Sequence, residues 1–220
     1  MTVLNIIRTA ALSAVIALAF SGCGAHYIAA NKDLGIPAGK KPVVGVIVAG
    51  FVANTETNPM GSLLGIKFGE EVTQCLKDEG VDAKFVKFAE VQTHKELAAA
   101  IKKYGLLQDY RKRVSAGFEF GDMKSDFNDL GIDLLVILSG SASNASVPAW
   151  AQAASFVAFG TSPLITPSAD VIATSVNRDG SPLFNDRTIF TRMGRRDFGN
   201  EDHRKAMASA IADEIRNNSL

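Results

Sequence analysis

Three serines crowd into Ser139-Gly140-Ser141-Ala142-Ser143, directly after the apolar run Leu134-Leu135-Val136-Ile137-Leu138. A serine presented at the end of a strand becomes a nucleophile when a histidine takes its proton and a third group orients that histidine. His94 and His203 are the histidines available for this beyond His26 near the amino terminus. Both stand where helices are expected to begin, and a solvated histidine there needs no catalytic explanation. The serine stretch also departs from G-x-S-x-G, the pattern of a nucleophile elbow. The glycines between positions 61 and 69 lack the Lys-Ser/Thr ending of a phosphate-cradling loop. Three scattered histidines and the cysteine Cys75 have no metal-ligand spacing. The expectation is a protein without a catalytic centre, metal or cofactor.

Cys23 carries a different chemistry. Arg8 and the amino terminus give a positive start, residues 9–20 form an apolar run, and the small pair Ser21-Gly22 precedes the cysteine. The run is short of the about 20 apolar residues that span a bilayer. The arrangement resembles a bacterial lipoprotein signal peptide, with Phe20 where leucine is usual. That resemblance implies a thiol at Cys23 that takes a diacylglycerol, followed by cleavage that makes Cys23 the acylated first residue. Two acyl chains anchor stably, since each buried methylene contributes about 0.8 kcal/mol. Gly24 stands where aspartate would retain an enterobacterial lipoprotein in the inner membrane. In a Gram-negative source the resemblance implies the outer membrane, on its periplasmic face.

The elements that follow are read from periodicity. Lys and Arg number 23, as do Asp and Glu, and loss of Arg8 with the leader leaves 22 against 23. So balanced a chain offers no basic excess, and nucleic acid is not an expected partner. With 47% apolar and 21% charged residues the composition is globular, enough for one core. Residues 1–22 are read as the leader, 23–41 as a lipidated tether of Gly, Pro, Ala and Lys, and 42–220 as one α/β domain. Val43-Val44-Gly45-Val46-Ile47-Val48-Ala49 has the composition of a central strand covered on both faces. Leu64, Phe68, Val72, Cys75 and Leu76 then form a helical stripe ending at Gly80, with Cys75 a small buried hydrophobe.

Residues 81–88 read as a second strand, and Thr93-His94-Lys95-Glu96 as a capping box before a helix carrying Leu97, Ile101 and Tyr104. Residues 107–114 suggest a further helical piece with Arg111, Lys112 and Arg113 on a solvated face. Met123, Phe127 and Leu130 form a short amphipathic helix closed by Gly131, and residues 133–138 are the next strand. Residues 171–176 and 183–192 pair around Asn177-Arg178-Asp179-Gly180, in a loop lengthened because Pro182 cannot pair in a sheet interior. Asn200 opens a last helix buried through Met207, Ile211 and Ile215. The fold class is therefore a single mixed sheet flanked by helices, with a hairpin and a closing carboxyl-terminal helix.

This order, with Val43 to Ala49, Gly131-Ile132-Asp133 and the Asp179-Gly180 hairpin as its weak residue-level marks, resembles a known envelope domain over about residues 42–216. The domain is shared by the curli-secretion channel lipoprotein, the Pel polysaccharide lipoprotein, the lipoprotein activators of penicillin-binding proteins and the amino-terminal domain of the Tol–Pal β-propeller protein. The resemblance implies an adaptor or ring-forming component of an envelope assembly, working without catalysis. The alternative is a periplasmic module that binds a small ligand in a pocket lined by Asn54, Thr55 and Ser139 to Ser143. Residues 134–169 lack charge, and Trp150, Phe156 and Phe159 stand among alanines within them. Read as a helix, residues 149–159 are apolar nearly all round, and such a helix must be buried on most sides. These three aromatics are the candidate contact with a second subunit, an envelope partner or lipid, beside the reading that they pack on their own sheet.

Cys23→Ser is expected to abolish lipidation and processing. Mass spectrometry of the mature wild-type protein checks this, and an unmodified Cys23 overturns it.

Overall fold

A computed structural model describes residues 27–28, 33–34, 36–37, 39–53, 62–106, 120–142, 167–191 and 198–220. Cys23, Asn54, Thr55, Arg111 to Arg113, Ser143, Trp150, Phe156 and Phe159 lie outside them. Strands β1 (Tyr27–Ile28), β2 (Val43–Ala53), β3 (Asp82–Phe85), β4 (Leu134–Ala142), β5 (Pro167–Asn177) and β6 (Pro182–Thr191) make one sheet in the order β1-β6-β5-β4-β2-β3. β3, β2 and β4 run parallel, whereas β4, β5, β6 and β1 alternate antiparallel. The helices are α1 (Leu63–Asp78), α2 (Phe88–Val91), α3 (Lys95–Leu106), α4 (Lys124–Leu130) and α5 (Glu201–Ser219). The expected mixed sheet with flanking helices, hairpin and closing helix is the observed architecture.

Alternation along the strands divides the core in two. Val44, Val46 and Val48 of β2, with Val136 of β4 and Val171 of β5, join Phe68, Val72 and Leu76 of α1 and Met207, Ile211 and Ile215 of α5. Ile47, Leu135 and Ile137 face the other way, against Leu97, Ile101 and Tyr104 of α3 and Phe127 of α4. Phe198, just before α5, stacks on Phe51 with centroids 5.4 Å apart and lies 5.2 Å from Phe68. Arg204 fastens α5 to α1: its guanidinium donates to both carboxylate oxygens of Glu71 at 2.7 and 2.8 Å and to the Phe198 carbonyl at 3.2 Å.

Several local expectations need correction. β2 runs four residues past Ala49, because a register shift between Val48 and Phe51, with Gly50 at φ 72°, lets the strand bend and pair again with β4. The second strand stops at Phe85, and Phe88 opens the single turn α2 instead. There the Glu90 carboxylate accepts from the Lys87 backbone amide. Thr93 does not cap α3: its hydroxyl donates back to the Glu90 carbonyl, and His94 supplies the first carbonyl of the helix, to Ala98. Cys75 is only partly buried, packed at the margin of the core. The residues read as a free tether also enter the fold, since Tyr27 pairs with Asn185 and Ile28 with Phe184.

The hairpin loop spans four residues, and Pro182 pairs with Val176 at the mouth of β6. Asn177 organises it, its side-chain oxygen accepting from the backbone amides of Asp179 and Ser181 at 3.1 and 2.9 Å. Gly180 has φ 77°, and a Cβ there would stand 1.9 Å from the Gly121 carbonyl oxygen. Glycine is thus required both for the turn and for the close approach of the segment leading into α4.

Leu135 is 1% exposed in a strand with a neighbour on each side. Leu135→Asp buries an uncompensated charge and is expected to abolish the cooperative thermal transition followed by circular dichroism. A melting temperature equal to wild type would overturn the assignment.

Candidate functional site

The serines and histidines do not assemble as a hydrolase would need. By alternation Ser139 and Ser141 point from β4 to the α3 side of the sheet, Ser139 buried and Ser141 exposed. His203 lies in the first turn of α5, on the opposite face, where its backbone amide donates to the Asn200 side chain at 3.2 Å. The sheet therefore stands between His203 and both serines. His94 does lie on the α3 side, but there its Nδ1 is 3.0 Å from an Asp126 carboxylate oxygen, joining the start of α3 to α4. Among the described residues no cluster of His, Cys, Asp or Glu is placed to hold a metal ion.

Cys75 is likewise ill suited to nucleophilic work. Burial, and then the carboxylates of Asp78, Glu79, Glu71 and Asp213, push its thiol above the ordinary value. Little thiolate is available at neutral pH, and the thiolate is the reactive form.

A concavity among the described residues lies where β3 ends. It measures about 480 Å³ and is walled by Val48 of β2, Ile66 of α1, Phe85 and Val86 at the end of β3, and Phe88 of α2. Lys87 and Gln92 supply its polar side chains. That volume falls in the range of small-molecule pockets. Gly69 lets α1 approach the strands beside the cavity, because a Cβ at that position would come within 2.6 Å of the Phe85 ring and 2.7 Å of the Val48 side chain. The helix can close onto the sheet only with hydrogen there. Chemically, such a site suits a small apolar body with one acceptor or anionic group reaching Lys87 or Gln92. The sequence reading missed it. The one available signal is Gly65 and Gly69, four residues apart on a helical face that otherwise carries large apolar side chains.

A second polar centre ties the incoming chain to the sheet. Asp133, 4% exposed at its side chain, accepts from Lys40 through both oxygens at 2.9 Å and from the Val43 amide at 3.1 Å. The Arg178 guanidinium lies 3.9 Å away. Burial alone would push the Asp133 carboxyl up, but the Lys40 ammonium, the Val43 amide and Arg178 together outweigh it and hold the carboxyl below its ordinary value. This is a structural knot between the incoming chain and the start of β4.

A depressed folded-state value means that the Asp133 contribution is complete above its unfolded value, about pH 4, and is lost as pH falls through the folded one. Asp133→Asn is expected to lower stability by about 1–3 kcal/mol near neutrality. The same change should flatten the loss of stability on acidification, read as urea midpoints from about pH 6 down to about pH 2. Parallel profiles for the two proteins would overturn the assignment.

Compared with models of known protein families, with curated proteins and with solved structures, the chain matches none.

Proposed function

We propose that the protein is a lipid-anchored envelope lipoprotein, held by acylated Cys23 at the periplasmic face of the outer membrane. It acts without catalysis as an adaptor or ring-forming component of a secretion, polysaccharide-export or cell-wall assembly. The observation that carries this reading is Ser21-Gly22-Cys23 at the end of the apolar run 9–20. A thiol at that point is the acceptor that lipid anchoring requires, and two acyl chains make the anchoring lasting. The uncharged stretch 134–169, with Trp150, Phe156 and Phe159, supports association with a second subunit or an envelope partner. Aromatic side chains supply much of the energy of such contacts. The likeness of element order to the envelope domain named above belongs to the same proposal and rests on analogy.

A small-ligand module on a lipid anchor is the second reading, and the apolar cavity beside Phe85 and Phe88 favours it. Clefts at the carboxyl ends of parallel strands are where α/β sheets commonly take ligands. Of the residues expected to line a ligand pocket, Ser139 is buried in β4 and neither it nor Ser141 lines this cavity, while Asn54, Thr55 and Ser143 lie outside the described residues.

Light scattering on the soluble chain beginning at Gly24 separates the two readings. An adaptor or ring component forms an oligomer or partner complex, and Trp150→Glu dissociates it while the circular-dichroism spectrum stays native. Truncating an aromatic anchor costs about 2 kcal/mol or more, so the dissociation constant should rise at least about 30-fold. A wild-type chain that stays monomeric and captures no partner, with a Trp150→Glu variant that simply unfolds, overturns the adaptor reading in favour of a segment packed on its own core.

A further inference from the structure

The chain that leaves the leader is bound into the sheet almost at once. Tyr27 lies opposite Asn185 and Ile28 opposite Phe184, so β1 continues the sheet on the outer side of β6. Further along, the Asp33 carbonyl accepts from the Asn177 side chain at 3.0 Å, and Lys40 grips Asp133. The incoming segment is thus fastened at three places before β2 begins. Only Gly24, Ala25 and His26 separate Cys23 from Tyr27. Four residue steps of at most about 3.6 Å give that leash a reach of about 14 Å.

From this we infer that the β6 edge of the sheet is the membrane-facing surface of the anchored domain, seated against the headgroup layer of the bilayer that holds the acyl chains of Cys23. The inference rests on the lipid-anchor reading above and adds an orientation to it. Strands in a sheet are spaced about 4.8 Å apart, so Cys23 lies within about 19 Å of Asn185 whatever path the leash takes. β3 lies four strand spacings, about 19 Å, beyond β6 on the side away from β1. A long free tether would leave all faces equally available to the membrane, whereas this short one pins one edge. Ile189 of β6 is an apolar side chain 40% exposed, set by alternation on the α3 side of the sheet. The β3 edge, with the cavity beside Phe85, then points into the aqueous space where a partner or ligand would arrive.

The test uses the full-length acylated protein in vesicles of phosphatidylethanolamine and phosphatidylglycerol carrying an energy-transfer acceptor on the headgroups. A donor is attached through an encoded azido residue at the position of Ile189 on β6, Asp82 on β3 or Lys102 on α3, the last two being exposed. Circular dichroism confirms that each labelled protein is folded. Transfer is expected to be highest from position 189 and lowest from position 82. A flexible Gly-Ser insertion of about 20 residues between His26 and Tyr27, spanning about 25 Å, should level the three signals. Equal transfer without the insertion, a maximum at position 82 or 102, or no effect of the insertion overturns the orientation. Mass spectrometry of the same samples keeps the two readings apart. Acylated Cys23 with equal transfer removes the orientation alone, whereas unmodified Cys23 removes the anchor and the orientation with it.

Discussion

Burial of β4 on both faces is the constraint from which the rest of the architecture follows. Leu134, Leu135, Val136, Ile137 and Leu138 are all at most 1% exposed, and full burial of each such side chain is worth about 1.5–3 kcal/mol. Neither layer of helices alone could cover alternating apolar side chains, so α1 and α5 must close one face while α3 and α4 close the other. β4 is also the strand at which the sheet changes from parallel to antiparallel. Its β2 side requires a helical crossover and its β5 side permits a direct antiparallel return. A charge placed in this strand would therefore disturb both cores and both kinds of ladder.

Polar contacts decide how the apolar layers are seated. Arg204 and Glu71, 7% and 15% exposed, form a bidentate pair between α5 and α1. Desolvation offsets much of the attraction in such a pair, yet leaving one partner behind costs about 3–5 kcal/mol. Its effect is to select one register of α5 on α1, where apolar contacts alone would tolerate sliding. Phe198 shares in this, because the same guanidinium binds its carbonyl while its ring stacks on Phe51.

Asn177 plays the corresponding part at the other end of the sheet. Its amide nitrogen holds the incoming chain at Asp33, and its oxygen closes the hairpin turn. The turn in turn receives the segment before α4, through Met123 to the Arg178 carbonyl at 2.9 Å and Phe120 to the Gly180 carbonyl at 3.3 Å. Lys124 and Asp179 add an exposed pair at 2.6 Å. One short loop therefore joins the amino-terminal segment, the hairpin and the α4 layer. A pull on the amino terminus would be felt through the Asp33 and Asp133 contacts at this end of the sheet.

Elements whose evidence is local were legible from the amino-acid sequence. The stripe Phe68, Val72 and Leu76, the run 134–138, the Asp179-Gly180 turn and the cap at Asn200 each encode their structure within a few residues, through side-chain period or backbone preference. So did the fold class, which follows from the order of those elements. The candidate contact residues Trp150, Phe156 and Phe159, and the acyl site Cys23, remain sequence readings. What only the tertiary structure decided involves partners far apart in the chain. Phe88 looked like a continuing strand because its hydrophobicity is the same in strand and helix, and Thr93 matched a cap whose geometry the turn at Glu90 had already taken. The close seating of α1 depends on Gly69 meeting Phe85 and Val48, and the knot at Asp133 on Lys40, 93 positions away. Local pattern records which side of a segment avoids water; it does not record which distant segment will cover it.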